Sequence, residues 1–104
     1  MKFELFKELY NEALDIVSLE LFVAERGWQD WMGNYSPDEI ADLLSRIYRL
    51  ANNPLKDTRE MSRAEFSRRY EIPLRTLQDW DLGVSSSPKY VKLLIDFAQF
   101  TNGL

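Results

Sequence analysis

Residues 62–97 read SRAEFSRRYEIPLRTLQDWDLGVSSSPKYVKLLIDF, and this stretch decides the fold. It opens on Ser62 with Glu65 three residues on, the spacing at which a hydroxyl and a carboxylate cap a helix's first turn. Ala64, Phe66 and Tyr70 follow on that helix, which is expected to end near Glu71. A second helix is expected over residues 73–81 with Leu77 and Trp80 inward. Gly83 is placed to end it, since glycine accepts the left-handed backbone after a helix. Ser87-Pro88 then opens a further helix whose apolar face is read as Tyr90, Val91, Leu94, Ile95 and Ala98. Phe66, Ile72, Leu77 and Trp80 are read as core.

Upstream, the helix signals continue. Ser36-Pro37-Asp38-Glu39 offers a capping hydroxyl, a proline at the first helical position and a glutamate to close the box. Ile40, Leu43, Leu44, Ile47 and Leu50 or Ala51 keep helical spacing until Asn52-Asn53-Pro54 breaks the run. Phe3, Phe6, Tyr10, Ala13 and Val17, with Leu9 and Leu14 beside them, form one stripe on a first helix. Glu4, Glu8 and Glu12 line another face, read as solvated. Ser18 is placed to cap a short helix carrying Leu19, Phe22 and Val23, although the alternation of Leu19, Leu21 and Val23 also fits a strand. Residues 27–35, GWQDWMGNY, lack a clean period and read as a turn whose aromatics cover the core edge. Trp28, Trp31 and Tyr35 in that tract are also a candidate partner surface. A short element is expected over residues 55–60.

Composition narrows the chemistry. With 104 residues and neither histidine nor cysteine, the chain has no disulfide, no thiolate, no zinc site of the usual nitrogen or sulfur kind, and no side chain that titrates unassisted near neutrality. No catalytic residue, metal or cofactor is expected. At 45% hydrophobic and 29% charged, the chain reads as globular. It shows no leader pattern and no apolar run near the ~20 residues of a membrane span, so a soluble cytoplasmic protein with no membrane partner is expected. The net charge of −4 is unevenly spread. Residues 1–55 hold 5 basic and 10 acidic side chains, whereas residues 56–104 hold 8 basic and 7 acidic. Arg59, Arg63, Arg68, Arg69 and Arg75 concentrate between positions 58 and 78.

Two short helices joined tightly, the second followed by glycine and a capped helix, make a helix-turn-helix pattern. Ala64-Glu65-Phe66, Tyr70, Ile72, Thr76-Leu77, Trp80, Asp81, Gly83 and Pro88 together resemble the phage-repressor-like (XRE/Cro-type) helix-turn-helix family, which includes lambdoid phage repressors and many antitoxins. The resemblance covers residues 62–97, and the tract around GWQDW looks like N-terminal extensions of small mobile-element proteins that carry this motif. The expected fold is all-α: a compact helical domain of five to six helices containing a helix-turn-helix. An acidic N-terminal helical region over residues 1–53 and a helix-turn-helix region over 54–104 are expected to pack as one globular unit.

The resemblance implies double-stranded DNA as partner, with Leu74, Arg75, Gln78 and Asp79 meeting base edges in the major groove and Arg63 touching phosphate or a base. Arg75 has the forked donors that bind guanine O6 and N7, and Gln78 suits adenine. Leu74 suits only a thymine methyl, and Asp79 accepts from cytosine N4 or else repels phosphate. Arg68, Arg69 and Lys89 would approach the backbone, and Ser86 and Ser87 would donate to it. Members of that family commonly carry basic residues after the glycine, where this chain has Val84-Ser85-Ser86-Ser87, and Leu82 stands where a basic or amide residue is usual. A small transcription regulator of a phage or mobile element, with a homodimer to read paired half-sites, is the first expectation. The alternative is a protein-binding module on the same scaffold, its acidic half meeting a basic partner: an antitoxin-like neutraliser, or an inhibitor of a nucleic-acid enzyme such as a CRISPR nuclease. An enzyme built on Asp79 and Asp81 is disfavoured, because residues two apart on a helix do not face each other.

Overall fold

The computed structural model describes residues 1–24 and 26–102. All regular structure among them is helical: α1 (Phe3–Asp15), α2 (Leu19–Ala24), a 3-10 turn (Asp30–Asn34), α3 (Pro37–Asn52), α4 (Leu55–Thr58), α5 (Arg63–Tyr70), α6 (Leu74–Leu82) and α7 (Lys89–Asn102). Seven α-helices stand where five to six were expected, because the short α2 and the one-turn α4 both form. The chain divides into two compact units, Met1–Asn52 and Asn53–Leu104.

In the first unit α1 and α2 pack on α3. Phe6, Leu9, Tyr10 and Ala13 of α1 are buried, as are Leu43, Leu44, Ile47, Leu50 and Ala51 of α3 and Phe22 of α2. The α1 stripe stops sooner than its spacing suggests. Ile16 is already extended, so Val17 leaves the helix and stands in solvent. α3 itself completes this helix end: Asn52 Nδ2 donates to the Ala13 carbonyl at 3.1 Å and Tyr48 donates its hydroxyl to the Ile16 carbonyl at 3.0 Å. The Leu21 N–H donates to Ser18 Oγ at 3.2 Å, and residues 19–24 are helix, so the strand alternative falls. Glu12 is not a merely solvated acid. Its two oxygens accept from Arg26 at 2.7 and 3.2 Å, and the Arg26 guanidinium lies 4.7 Å over the Phe22 ring.

The start of α3 is local chemistry carried through. The Ser36 N–H donates to Glu39 Oε1 at 2.8 Å and the Glu39 N–H donates to Ser36 Oγ at 3.2 Å, closing the capping box. The Ser36 backbone N–H, and then its hydroxyl, hold the Glu39 carboxyl below its ordinary value. Ser36→Ala is expected to cost about 1 kcal/mol, read as a lower urea midpoint at unchanged slope; an unmoved midpoint would show that the cap contributes nothing.

The second unit is built on Leu55, Phe66, Leu77 and Ile95, with Met61, Tyr70, Ile72, Trp80 and Val91 packed against them. All four residues read as core from the quoted stretch belong to this cluster. Ser62 caps α5 by accepting the Glu65 N–H at 3.1 Å. α5 then ends on Glu71, whose φ of 53° is left-handed and unusual for a residue with a side chain. Ser67 secures that turn, accepting the Ile72 N–H at 3.1 Å and donating its hydroxyl to the Ile72 carbonyl at 2.6 Å. Three residues therefore separate α5 from α6. α6 begins at Leu74 and runs through Leu82, each bound one residue later than expected, and Gly83 ends it at φ 76°. The Asp79 carbonyl accepts the Val84 N–H at 2.9 Å, closing the helix end.

α7 corrects one expectation. Tyr90 and Leu94, read as part of its apolar face, are exposed, while Ile95, Asp96 and Phe100 are buried. Asp96 is tolerated inside because Lys92 Nζ donates to it at 2.6 Å and Gln99 Nε2 at 3.2 Å.

Candidate nucleic-acid interface

α6 holds four of the residues singled out for base reading, and Leu77 on the same helix is fully buried, so its burial sets which residues stay outside. Leu74 and Gln78 lie one turn apart, as do Arg75 and Asp79. Leu74 is exposed, Gln78 and Asp79 are half-buried, and the Arg75 side chain is 84% exposed. Arg75 Nε donates to Asp79 Oδ1 at 3.3 Å. That contact is exposed and worth tenths of a kcal/mol, and it uses Nε alone, so the terminal nitrogens that would read guanine are not spent on it.

Asp81 has a role that no local pattern announces. Its side chain is 5% exposed, and it accepts from Arg59 Nη1 at 3.0 Å, Arg59 Nη2 at 2.6 Å and Arg63 Nε at 2.8 Å. Arg59, itself 9% exposed, lies with its guanidinium 5.6 Å from the Phe66 ring centre. The Arg59 hydrogen bonds depress the Asp81 carboxyl below its ordinary value more than burial raises it, and Arg63 adds to the effect. Asp81 is thus a buried ion-pair partner within the second unit. Arg63, expected at phosphate, has a carboxylate partner within its own chain but keeps part of its surface in water.

The remaining backbone candidates are scattered. Arg68 and Arg69 are exposed in the last turn of α5, at the opposite end from Arg63. Ser86 and Lys89 are exposed and Ser87 is half-buried where the chain enters α7. Leu82 and Val84, both 73% exposed, flank Gly83. Two further cations, Lys56 and Lys92, which no local pattern singles out, line the same cleft as Ser85, Ser86 and Ser87.

In the first unit, Trp31 is half-buried, donates Nε1 to Gln29 Oε1 at 2.8 Å and meets the half-buried Tyr35 ring edge-on. Trp28 is exposed, so it does not cover the core edge as expected; the buried member of that tract is Met32. Among the described residues no group of three or more acidic side chains is arranged to hold a metal ion, and no helix is long and apolar enough to cross a membrane. Comparison of the chain with protein-family models, with curated proteins and with solved structures returns no match.

Proposed function

We propose that the second unit binds double-stranded DNA as a small transcription regulator of the phage or mobile-element kind, with α6 entering the major groove. The observation that carries this reading is the outer face of α6: Arg75 almost wholly in solvent with Leu74 and Gln78 beside it, on a helix anchored by the buried Leu77. The short α5–α6 turn, held by Ser67, keeps the two helices in a fixed relation, which base reading requires. One such helix covers only a few base pairs, so paired half-sites call for two copies.

Selection from a random duplex pool at 50 and 200 mM salt tests it. The parent is expected to enrich a short motif, and Arg75→Ala to relax one position of it with about a 5- to 150-fold loss on the preferred duplex. A parent that retains no duplex at the lower salt overturns the reading. An Arg75→Ala protein that selects the same motif with parental affinity removes Arg75 from the readout.

The exposed Leu82 and Val84 favour a second reading, a protein-binding module whose acidic first half meets a basic partner. Apolar side chains on both sides of Gly83 suit a protein surface better than a phosphate backbone. Leu82→Gln with Val84→Ser separates the two: unchanged or tighter duplex binding with loss of a captured basic protein favours the second, and unchanged capture disfavours it.

A further inference from the structure

A cleft of about 320 Å3 lies in the second unit where α4, the end of α6 and the start of α7 converge. Ser85, Ser86 and Ser87 line it, Trp80 and Leu55 supply apolar wall, and Lys56 and Lys92 line it as well. We propose that this cleft takes a backbone phosphate of duplex DNA, with Lys56 as the cation that the tract after Gly83 lacks; the proposal rests on the reading of α6 as the DNA-facing helix.

The charge balance supports it. Asp81 also lines the cleft, but its oxygens are held by Arg59 and Arg63. Lys92 is neutralised in the same way by the fully buried Asp96. The charged residues that line the cleft are Lys56 and Lys92 against Asp81, a net +1, in a chain whose net charge is −4. Lys56 is exposed on α4 and Ser85 and Ser86 are exposed after α6, so a cation and neutral donors reach one opening from separate parts of the chain. Charge-assisted bonds from an ammonium and bonds from hydroxyls are what a phosphodiester accepts. The cleft is larger than one phosphate needs, and Leu55 with Trp80 provides apolar surface for the attached sugar.

Duplex binding of the full chain across 50–200 mM salt tests the proposal in parent, Lys56→Gln and Lys56→Arg. Lys56→Gln is expected to flatten the slope of log K against log salt by about one unit on preferred and random duplexes alike. Its deficit is then about three- to fourfold larger at 50 than at 200 mM. Lys56→Arg should restore the slope, because the charge returns. Amide shifts of Ser85, Ser86 and Ser87 are followed in parallel with a short duplex and with inorganic phosphate. Duplex-induced shifts that Lys56→Gln abolishes support the cleft. A parent that binds duplex while Lys56→Gln keeps the parental slope overturns the cleft alone, and phosphate-induced shifts alongside that unchanged slope assign it to free anions instead. A parent that binds no duplex overturns both this proposal and the reading of α6.

Discussion

Asp81→Ala is expected to destabilise the protein by about 3–5 kcal/mol, the cost of stripping one partner from a buried ion pair. The carboxylate is 5% exposed and takes three hydrogen bonds from two arginines, one of which, Arg59, is 9% exposed. Arg59 would be left as an uncompensated cation packed over Phe66. At roughly 4–8 °C per kcal/mol for a small domain, the thermal midpoint should fall by more than 10 °C. Circular dichroism melting checks it, and a variant that melts within a few degrees of the parent would sink the claim. Arg63→Ala should cost under about 1 kcal/mol, since that arginine is 39% exposed and solvent screens its contact. Replacing both buried charges, Arg59→Met with Asp81→Leu, should recover most of the loss, because no charge is then stranded.

The same site sets part of the acid limb. With its folded value depressed below the ordinary 3.8, Asp81 contributes stability that is present in full above that value and is lost as pH falls through the lower folded one. The parent should therefore lose stability below about pH 4, and Asp81→Ala should show a shallower decline over that window.

Phe66→Ala should cost about 3–5 kcal/mol, by lost transfer energy plus the cavity left behind. The ring is fully buried among Leu55, Leu77 and Ile95, and its centre is 4.7 Å from that of Tyr70. Since Arg59 rests over the same ring, Phe66→Ala and Asp81→Ala touch one partner, and their double variant should be destabilised by less than the sum. Urea unfolding of both singles and the double measures this, and strict additivity would show that the ring and the ion pair are independent. Leu74→Ala on the exposed side of α6 should change stability by no more than about 0.5 kcal/mol, which keeps readout and folding separable there.

What could be read in advance was read from neighbours along the chain. Ser36 and Glu39, Ser62 and Glu65, and Gly83 act on backbone groups within a few residues, so their effect is written in local spacing. Apolar periodicity was a weaker guide. It places Tyr90 and Leu94 on the same face of α7 as Val91 and Ile95, but it carries no information on how far the core reaches across that face, and Tyr90 and Leu94 stay exposed. Val17 kept the spacing of the α1 stripe yet lies beyond the helix end, where period no longer means face. Trp28 fails for a related reason: a bulky ring favours burial only where a surface is offered to it.

The candidate site divides in the same way. Arg75, Leu74, Gln78 and Asp79 are placed on one helix by the glycine that ends it and its inward Leu77, and α6 carries all four. Arg59 and Asp81 are 22 positions apart, and Lys56 stands 29 to 31 positions from Ser85, Ser86 and Ser87, so no helical spacing links either set. The sequence by itself determined a mainly helical fold, the capped starts of α3 and α5, the glycine that ends α6, the tight α5–α6 connection and the division of charge between its halves. Only the tertiary structure decided that two of the five clustered arginines close on Asp81, that an exposed lysine of α4 lines one cleft with the serines after Gly83, and which apolar side chains stay in water. Helix formation is governed by bonds between residues three and four apart, whereas ion pairing, clefts and burial depend on which distant segments the packed core brings together.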